Sequence, residues 1–335
     1  MAPAPLIVGL SGTALTPDET AFLADLKPLG IILFARNVGT ADELRALIDK
    51  AKSAAQTDLV FIDQEGGRVQ RLKPPLAPIY PPARRIGELF AIDQAAGLRA
   101  ARLHGQLIAA DCLAFGITVP CIPVADVPIP GANDVIGDRA YGLDPAEVSA
   151  LAKAAAEGVL AAGALPVVKH IPGHGRAMVD SHLELPTVDA PLDILAEDFG
   201  PFKTMANFPI AMTAHVRYTA IDEAAPATLS APAIDLIRNT IGFGGLLLTD
   251  DICMHALAGP VEKDGAASLS AGCDVVLHCN GNMAEMVALA KTLPAITGTA
   301  ATRLSAARAM LGPPVTAMDE ERAEFDALIA RRKAA

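Results

Sequence analysis

At 335 residues, 52% hydrophobic and 19% charged, the chain can bury one large core or two modest ones, which excludes the disordered and fibrous classes. Its 27 basic against 38 acidic residues leave a net charge of -11, so there is no general field for nucleic acid or anionic lipid, and an anionic substrate must be met by local Arg or Lys. The five cysteines, Cys112, Cys121, Cys253, Cys273 and Cys279, form no CxxC pair; they signal neither a disulfide framework nor a zinc knuckle, and fit a reducing cytoplasm.

In chain order, the opening MAPAPLIVGL lacks a basic region before its short apolar run and does not read as a secretory signal. Apolar runs then recur at Leu6 to Leu10, Gly30 to Ala35, Leu59 to Asp63, Ile117 to Val124, Leu165 to His170, Ile210 to His215, Gly245 to Asp250 and Asp274 to Cys279, eight in all. Helix-period segments lie between them at Ala41 to Ala55, Pro145 to Ala162, Pro232 to Thr240 and Ala284 to Thr292, several entered at Asp, Thr or Pro. This alternation predicts an α/β fold, a single (β/α)8 TIM-type barrel, with an open doubly wound sheet second because periodicity counts units without closing them. No linker or compositional shift divides the chain, so residues 1–335 read as one domain, ending in a charged amphipathic helix from Asp319 to Lys333. No run approaches the roughly 18 apolar residues of a membrane span.

Asp63, His170, His215 and Asp250 each close an apolar run, and in a barrel such positions converge on the C-terminal face, where catalysis is built. Asp63 opens DQEGGRVQR, in which acids, arginines and a Gly pair suit a hydroxyl-rich ligand; a structural salt-bridge loop is the ordinary alternative. KHIPGHG follows at Lys169. His170 and His174 stand four apart, but Pro172 and Gly173 break any helix between them, so a metal pair is rejected. Further on, Asp180 can hold one nitrogen of His182 while the other works, a candidate acid/base dyad on a glycine loop. LLLTDD delivers Asp250 and Asp251 to the same mouth, one a candidate nucleophile, although Asp after a strand commonly caps a helix. Gly242 to Gly245 precedes its strand instead of following it, so it is no dinucleotide loop.

Together IDQEGGRVQRL from Ile62, GDRAYG from Gly137, KHIPGHG from Lys169, DSHLELP from Asp180 and LLLTDD from Leu246 resemble the β-N-acetylhexosaminidases of glycoside hydrolase family 3, in their short bacterial form. The resemblance spans most of the chain. It implies Asp250 as nucleophile, His182 with Asp180 as acid/base on a mobile loop, and sugar-binding roles for Asp63, Arg71, Arg139, Lys169 and His170. It further implies removal of terminal non-reducing N-acetylglucosamine, from muropeptides in cytoplasmic peptidoglycan recycling. Phosphorolysis through the same dyad is the alternative, and a non-catalytic sugar or muropeptide sensor a more distant one. No cofactor, metal, nucleic-acid or membrane partner is expected. Departures from the family pattern are Ile171 and Tyr141 where Phe is usual or common, and Arg176 after the PGHG turn where Asp or a small residue often sits.

Overall fold

The computed structural model describes residues 2–257, 259–315 and 318–331. Eight strands form one parallel sheet: β1 (Ala4–Gly9), β2 (Pro28–Leu33), β3 (Leu59–Ile62), β4 (Val119–Pro120), β5 (Val167–Ile171), β6 (Ile210–Thr213), β7 (Leu246–Asp251) and β8 (Val275–His278). Each falls on one of the eight apolar runs. Neighbours follow chain order, β1 pairs with β8, and a parallel bridge between Val124 and Lys169 joins β4 to β5, so the sheet closes into a (β/α)8 barrel and not an open doubly wound sheet.

The strands are apolar throughout because both faces are covered. On β1, Ile7 joins the inner cluster with Leu59, Phe61, Met212 and Leu248, while Leu6 and Val8 pack outward among the helices. β4 is the shortest relative to its run. Pro120 and Pro123 supply no amide to a ladder, so the segment continues in single bonds, Cys121 N–H to Ile62 O and Val167 N–H to Ile122 O.

The expected helices are present at Ala41–Ala55, Pro145–Ala161 and Met283–Ala290. Thr40 and Glu43 form a capping box on the first, and Asp144 caps the second ahead of Pro145. The segment expected as one helix at Pro232 to Thr240 is a short α-helix, Ala231–Asp235, that widens into a π-turn stretch, Leu236–Ile241, and stops at Gly242 with φ 83°. The terminal helix runs Asp319–Ala330, and Lys333 lies outside the described residues. It docks through Phe325, stacked on His104, and through Arg322, which pairs with Asp111 at 2.8 Å. The helix Gly298–Arg308 seals the barrel's N-terminal end: Leu304 and Ala307 enter the inner core and Arg308 pairs with Asp58. The opposite end, where the strand-end polar residues gather, is left as the mouth. No described helix is long and apolar enough to cross a membrane.

Candidate active site

One cavity at the C-terminal mouth is lined by Asp63, Arg71, Arg139, Lys169, His170, His182 and Asp250. Residues from three strand ends and three loops, widely spaced in sequence, are thus brought together as barrel geometry demands.

The floor begins at Asp63, directly after β3. The chain then folds into a small antiparallel ribbon, Gln64–Gly66 against Val69–Gln70, whose turn needs Gly66 and Gly67 at φ 91° and 57°. A side chain at Gly66 would also collide with the Pro81 carbonyl. Gln64 fixes the return by accepting the N–H groups of Arg71 and Leu72 at 2.8 and 2.9 Å, which brings Arg71 to 3.5 Å from Asp63.

Lys169 arrives from β5 with only 2% of its side chain exposed and bridges Asp63 Oδ1 at 2.8 Å and Glu65 Oε1 at 2.6 Å. Arg139 closes the network by gripping both Glu65 oxygens, Nε and Nη2 each at 2.8 Å. Burial pushes the Glu65 carboxyl up, but Arg139 and Lys169 outweigh it and hold the group ionised far below its ordinary range. At Asp63, burial is likewise overcome by Lys169 and Arg71, with Glu65 opposing. Glu65, whose role the sequence leaves open, is the buried anion that keeps Arg139 and Lys169 in place.

His170 also lines the cavity although it follows Lys169 directly. The register between β5 and β6 shifts from Lys169 to Ile171, breaking the alternation of faces. Its Nδ1 meets Asp126 Oδ2 at 2.7 Å, so it donates to a carboxylate and leaves Nε2 for the cavity. Asp126 is fully buried, and its Oδ1 also accepts the N–H groups of His170 and His174 at 3.2 and 2.6 Å. Sequence reading passed Asp126 over. It stands two residues beyond the fourth apolar run, where the strand-end logic that selected Asp63 and Asp250 would have found it.

Asp250 lies near the end of β7, with Oδ1 accepting the Asp251 N–H at 2.8 Å. Burial raises its carboxyl, while His215, His170, that N–H and Lys169 together bring it below the usual carboxylate value, which keeps it ionised. Asp251 has the other job: its Oδ1 accepts the N–H groups of Cys253 and Cys279, both at 3.0 Å, and pins the following turn to the end of β8. His215 donates from Nε2 to the Asp251 carbonyl at 3.0 Å and meets the Thr228 hydroxyl at Nδ1 at 2.7 Å. It is fully buried and does not line the cavity.

The dyad sits on the rim. His182 Nδ1 is 2.8 Å from Asp180 Oδ1, with 63% of the His182 side chain and 31% of that of Asp180 exposed. The loop is anchored between these residues by Ser181, which is buried, meets His174 Nε2 at 3.0 Å and accepts the Ala256 N–H at 3.2 Å. Gly175 is required where it stands, since a Cβ there would strike the Val127 carbonyl. Arg176 reaches away from the cavity to Asp198 on the helix Leu192–Thr204 at 2.5 Å, tying the loop's base to the outer layer.

Residues 9–308 match the Glycosyl hydrolase family 3 N terminal domain. The chain is 37% identical to a beta-hexosaminidase of Aromatoleum aromaticum over 311 residues, covering 91% of this chain and 87% of that protein. It is 39% identical to a beta-hexosaminidase of Methylococcus capsulatus over 276 residues, 81% of each. The crystal structure of NagZ from Neisseria gonorrhoeae in complex with N-trifluoroacetyl-D-glucosamine superposes with a TM-score of 0.87 at 29% identity, covering 98% of both chains. The chain belongs to glycoside hydrolase family 3 and is an enzyme of that class.

Proposed function

We propose that the enzyme is a retaining, exo-acting β-N-acetylglucosaminidase, and that residues 1–335 act as one catalytic unit. The observation that carries this reading is that Asp250, held ionised, and His182, paired with Asp180, line the same cavity as the Asp63, Arg71 and Lys169 cluster. Beta-hexosaminidase relatives covering most of the chain, and a neighbour holding an N-acylated glucosamine, support the choice of sugar.

In this mechanism an Asp250 carboxylate oxygen attacks the anomeric carbon as the glycosidic bond breaks, and the proton on His182 Nε2 passes to the leaving oxygen. A water molecule, deprotonated by His182, then attacks the same carbon and releases Asp250. Asp180, on Nδ1, holds the tautomer that makes Nε2 the working atom. Asp63 accepts sugar hydroxyls, while Arg71, Arg139, Lys169 and His170 donate to ring oxygens or the acetamido carbonyl. The substrate source we propose is muropeptide released from cell wall, processed in the cytoplasm; free thiols at all five cysteines accord with a reducing compartment.

The test is turnover of an aryl N-acetylglucosaminide with and without phosphate, with the first-formed sugar identified by NMR. The β-anomer of free N-acetylglucosamine is expected in both. A sugar 1-phosphate would make the enzyme a phosphorylase, absence of turnover would favour a sensor, and equal kcat/KM on the matching glucoside would remove the acetamido preference.

A further inference from the structure

Three side chains that no sequence motif joins meet beside the turn that follows β7. Cys253 lies three residues past Asp250, His278 closes β8 and is fully buried, and Glu285 sits in the first turn of the helix Met283–Ala290. One ligand atom from each lies within 4.8 Å of the others, and His278 Nε2 is 3.2 Å from Glu285 Oε2. Among the described residues this is the one group of His, Cys, Asp or Glu gathered within such reach.

We propose that Cys253, His278 and Glu285 bind a borderline-soft divalent cation of the zinc type, with three protein ligands and a fourth position left to solvent. A thiolate, an imidazole and a carboxylate are a donor set suited to zinc, and the sulfur disfavours magnesium or calcium, which take oxygen. With the thiol deprotonated, the set carries two negative charges, matching a divalent ion.

Surrounding groups orient the ligands as metal sites require. Asn280 Nδ2 donates to Glu285 Oε2 at 2.7 Å and Asn282 Nδ2 to Oε1 at 2.9 Å, so both carboxylate oxygens are held. His278 has spare capacity: among the described residues Nε2 meets only Glu285, and Nδ1, buried, has no hydrogen-bond partner. At Cys253, burial and then Asp251 push the thiol up. Metal binding therefore releases a proton as the thiol becomes a thiolate ligand.

The spacing is near that of an occupied site. Zinc bonds of about 2.0 to 2.3 Å place tetrahedral ligand atoms roughly 3.3 to 3.7 Å apart. The His278–Glu285 separation is already 3.2 Å. The sulfur, within 4.8 Å of both, needs to close by no more than about 1.3 Å, and it sits in the turn after the strand and not in the ladder. An ion there would clamp the β7 turn to the end of β8 and to the next helix.

The experiment uses the full chain stripped of metal and titrated with Co2+, followed by displacement with Zn2+. Expected is one cobalt per chain with a near-ultraviolet sulfur-to-cobalt charge-transfer band and tetrahedral visible bands, both removed by zinc, and a Tm that rises with zinc concentration. Cys253→Ser should abolish the sulfur band and weaken binding by about 100-fold or more, whereas Cys279→Ala should retain the band. Glu285→Gln, a change near the surface that leaves the core intact, should weaken binding about tenfold or more and keeps the test decisive if Cys253→Ser fails to fold. Absence of a sulfur band at saturating cobalt, or a band that survives Cys253→Ser, overturns the proposal. Cobalt held without sulfur, as at the Asp180 and His182 loop, also counts against it.

Discussion

The floor and the rim of the mouth are built in opposite ways. On the floor, Asp63, Glu65, Lys169 and Arg139 neutralise one another in a buried network in which each side chain is held by at least one partner of opposite charge. On the rim, His182 is largely exposed and its orientation rests on Asp180 and on the Ser181 anchor between them. Under the proposed mechanism the contrast separates recognition from proton transfer: the groups assigned to the sugar are locked, while the group assigned to give a proton and then take one from water sits where water reaches. Asp250 belongs with the floor, poised as an anion by its surroundings.

Substitutions on the two regions should therefore fail differently. The largest effect is expected on the floor side at Asp250→Asn, which should abolish steady turnover while ligand affinity stays within about tenfold, as equilibrium binding of the product sugar would show. Asp251→Asn should be milder, because Asp251 braces the turn by accepting two amides.

His182→Ala should cost on the order of 10² to 10⁴ in rate on an alkyl or sugar aglycone. The loss should be much smaller for release of a low-pKa phenol, with a pre-steady-state burst as deglycosylation becomes limiting. Unfolding in urea should move by no more than about 0.5 kcal/mol, since the side chain is exposed. Equal losses across leaving groups, with no burst, would remove the acid/base role.

Lys169→Met should show the reverse signature, a stability loss of about 3 kcal/mol in urea alongside lost kcat/KM, because it removes the cation shared by Asp63 and Glu65 and leaves buried Glu65 to Arg139 and half-buried Asp63 to Arg71 alone. A destabilisation no larger than that of His182→Ala would show the floor to be no more locked than the rim.

Stability should also fall with acid, and the sign follows from His104 and His174. Burial depresses both to about 4, at His174 with help from His170, so each stays neutral in the folded state where the unfolded chain would take a proton. Their contribution is complete above about pH 6.5 and is lost as pH falls toward 4, on the order of 3 kcal/mol for each. His104→Leu should flatten that limb in Tm measured against pH, since neither His104 nitrogen has a hydrogen-bond partner to lose. The smallest effect is expected at Asp180→Asn, a loss of about tenfold with the same leaving-group pattern as His182→Ala, because the imidazole remains but its tautomer and basicity are disturbed.

Much of this was legible in the sequence for a physical reason. Strands covered on both faces are apolar end to end, so their runs stand out, and a polar residue closing such a run marks the barrel mouth; Asp63, His170 and Asp250 all line the cavity. The same signal also picked His215, which is turned inward to Thr228 and the Asp251 carbonyl. What sequence spacing does not carry is pairing across the barrel. Glu65 meets Arg139 and Lys169, and Asp126 meets His170, because the strands close into a ring, while Cys253 lies near His278 because β7 and β8 pair side by side. The fourth run was drawn too long because a proline can stay apolar and buried while leaving the ladder.

The most direct test of the central claim is mass spectrometry of the enzyme after reaction with a 5-fluoro N-acetylglucosaminyl trapping reagent, which slows both steps and lets the ester accumulate. One sugar adduct per chain is expected, on the peptide bearing Asp250 and absent from Asp250→Asn; a stable adduct on any other residue, or turnover by the Asp250→Asn enzyme at the native rate, would rule Asp250 out as the nucleophile.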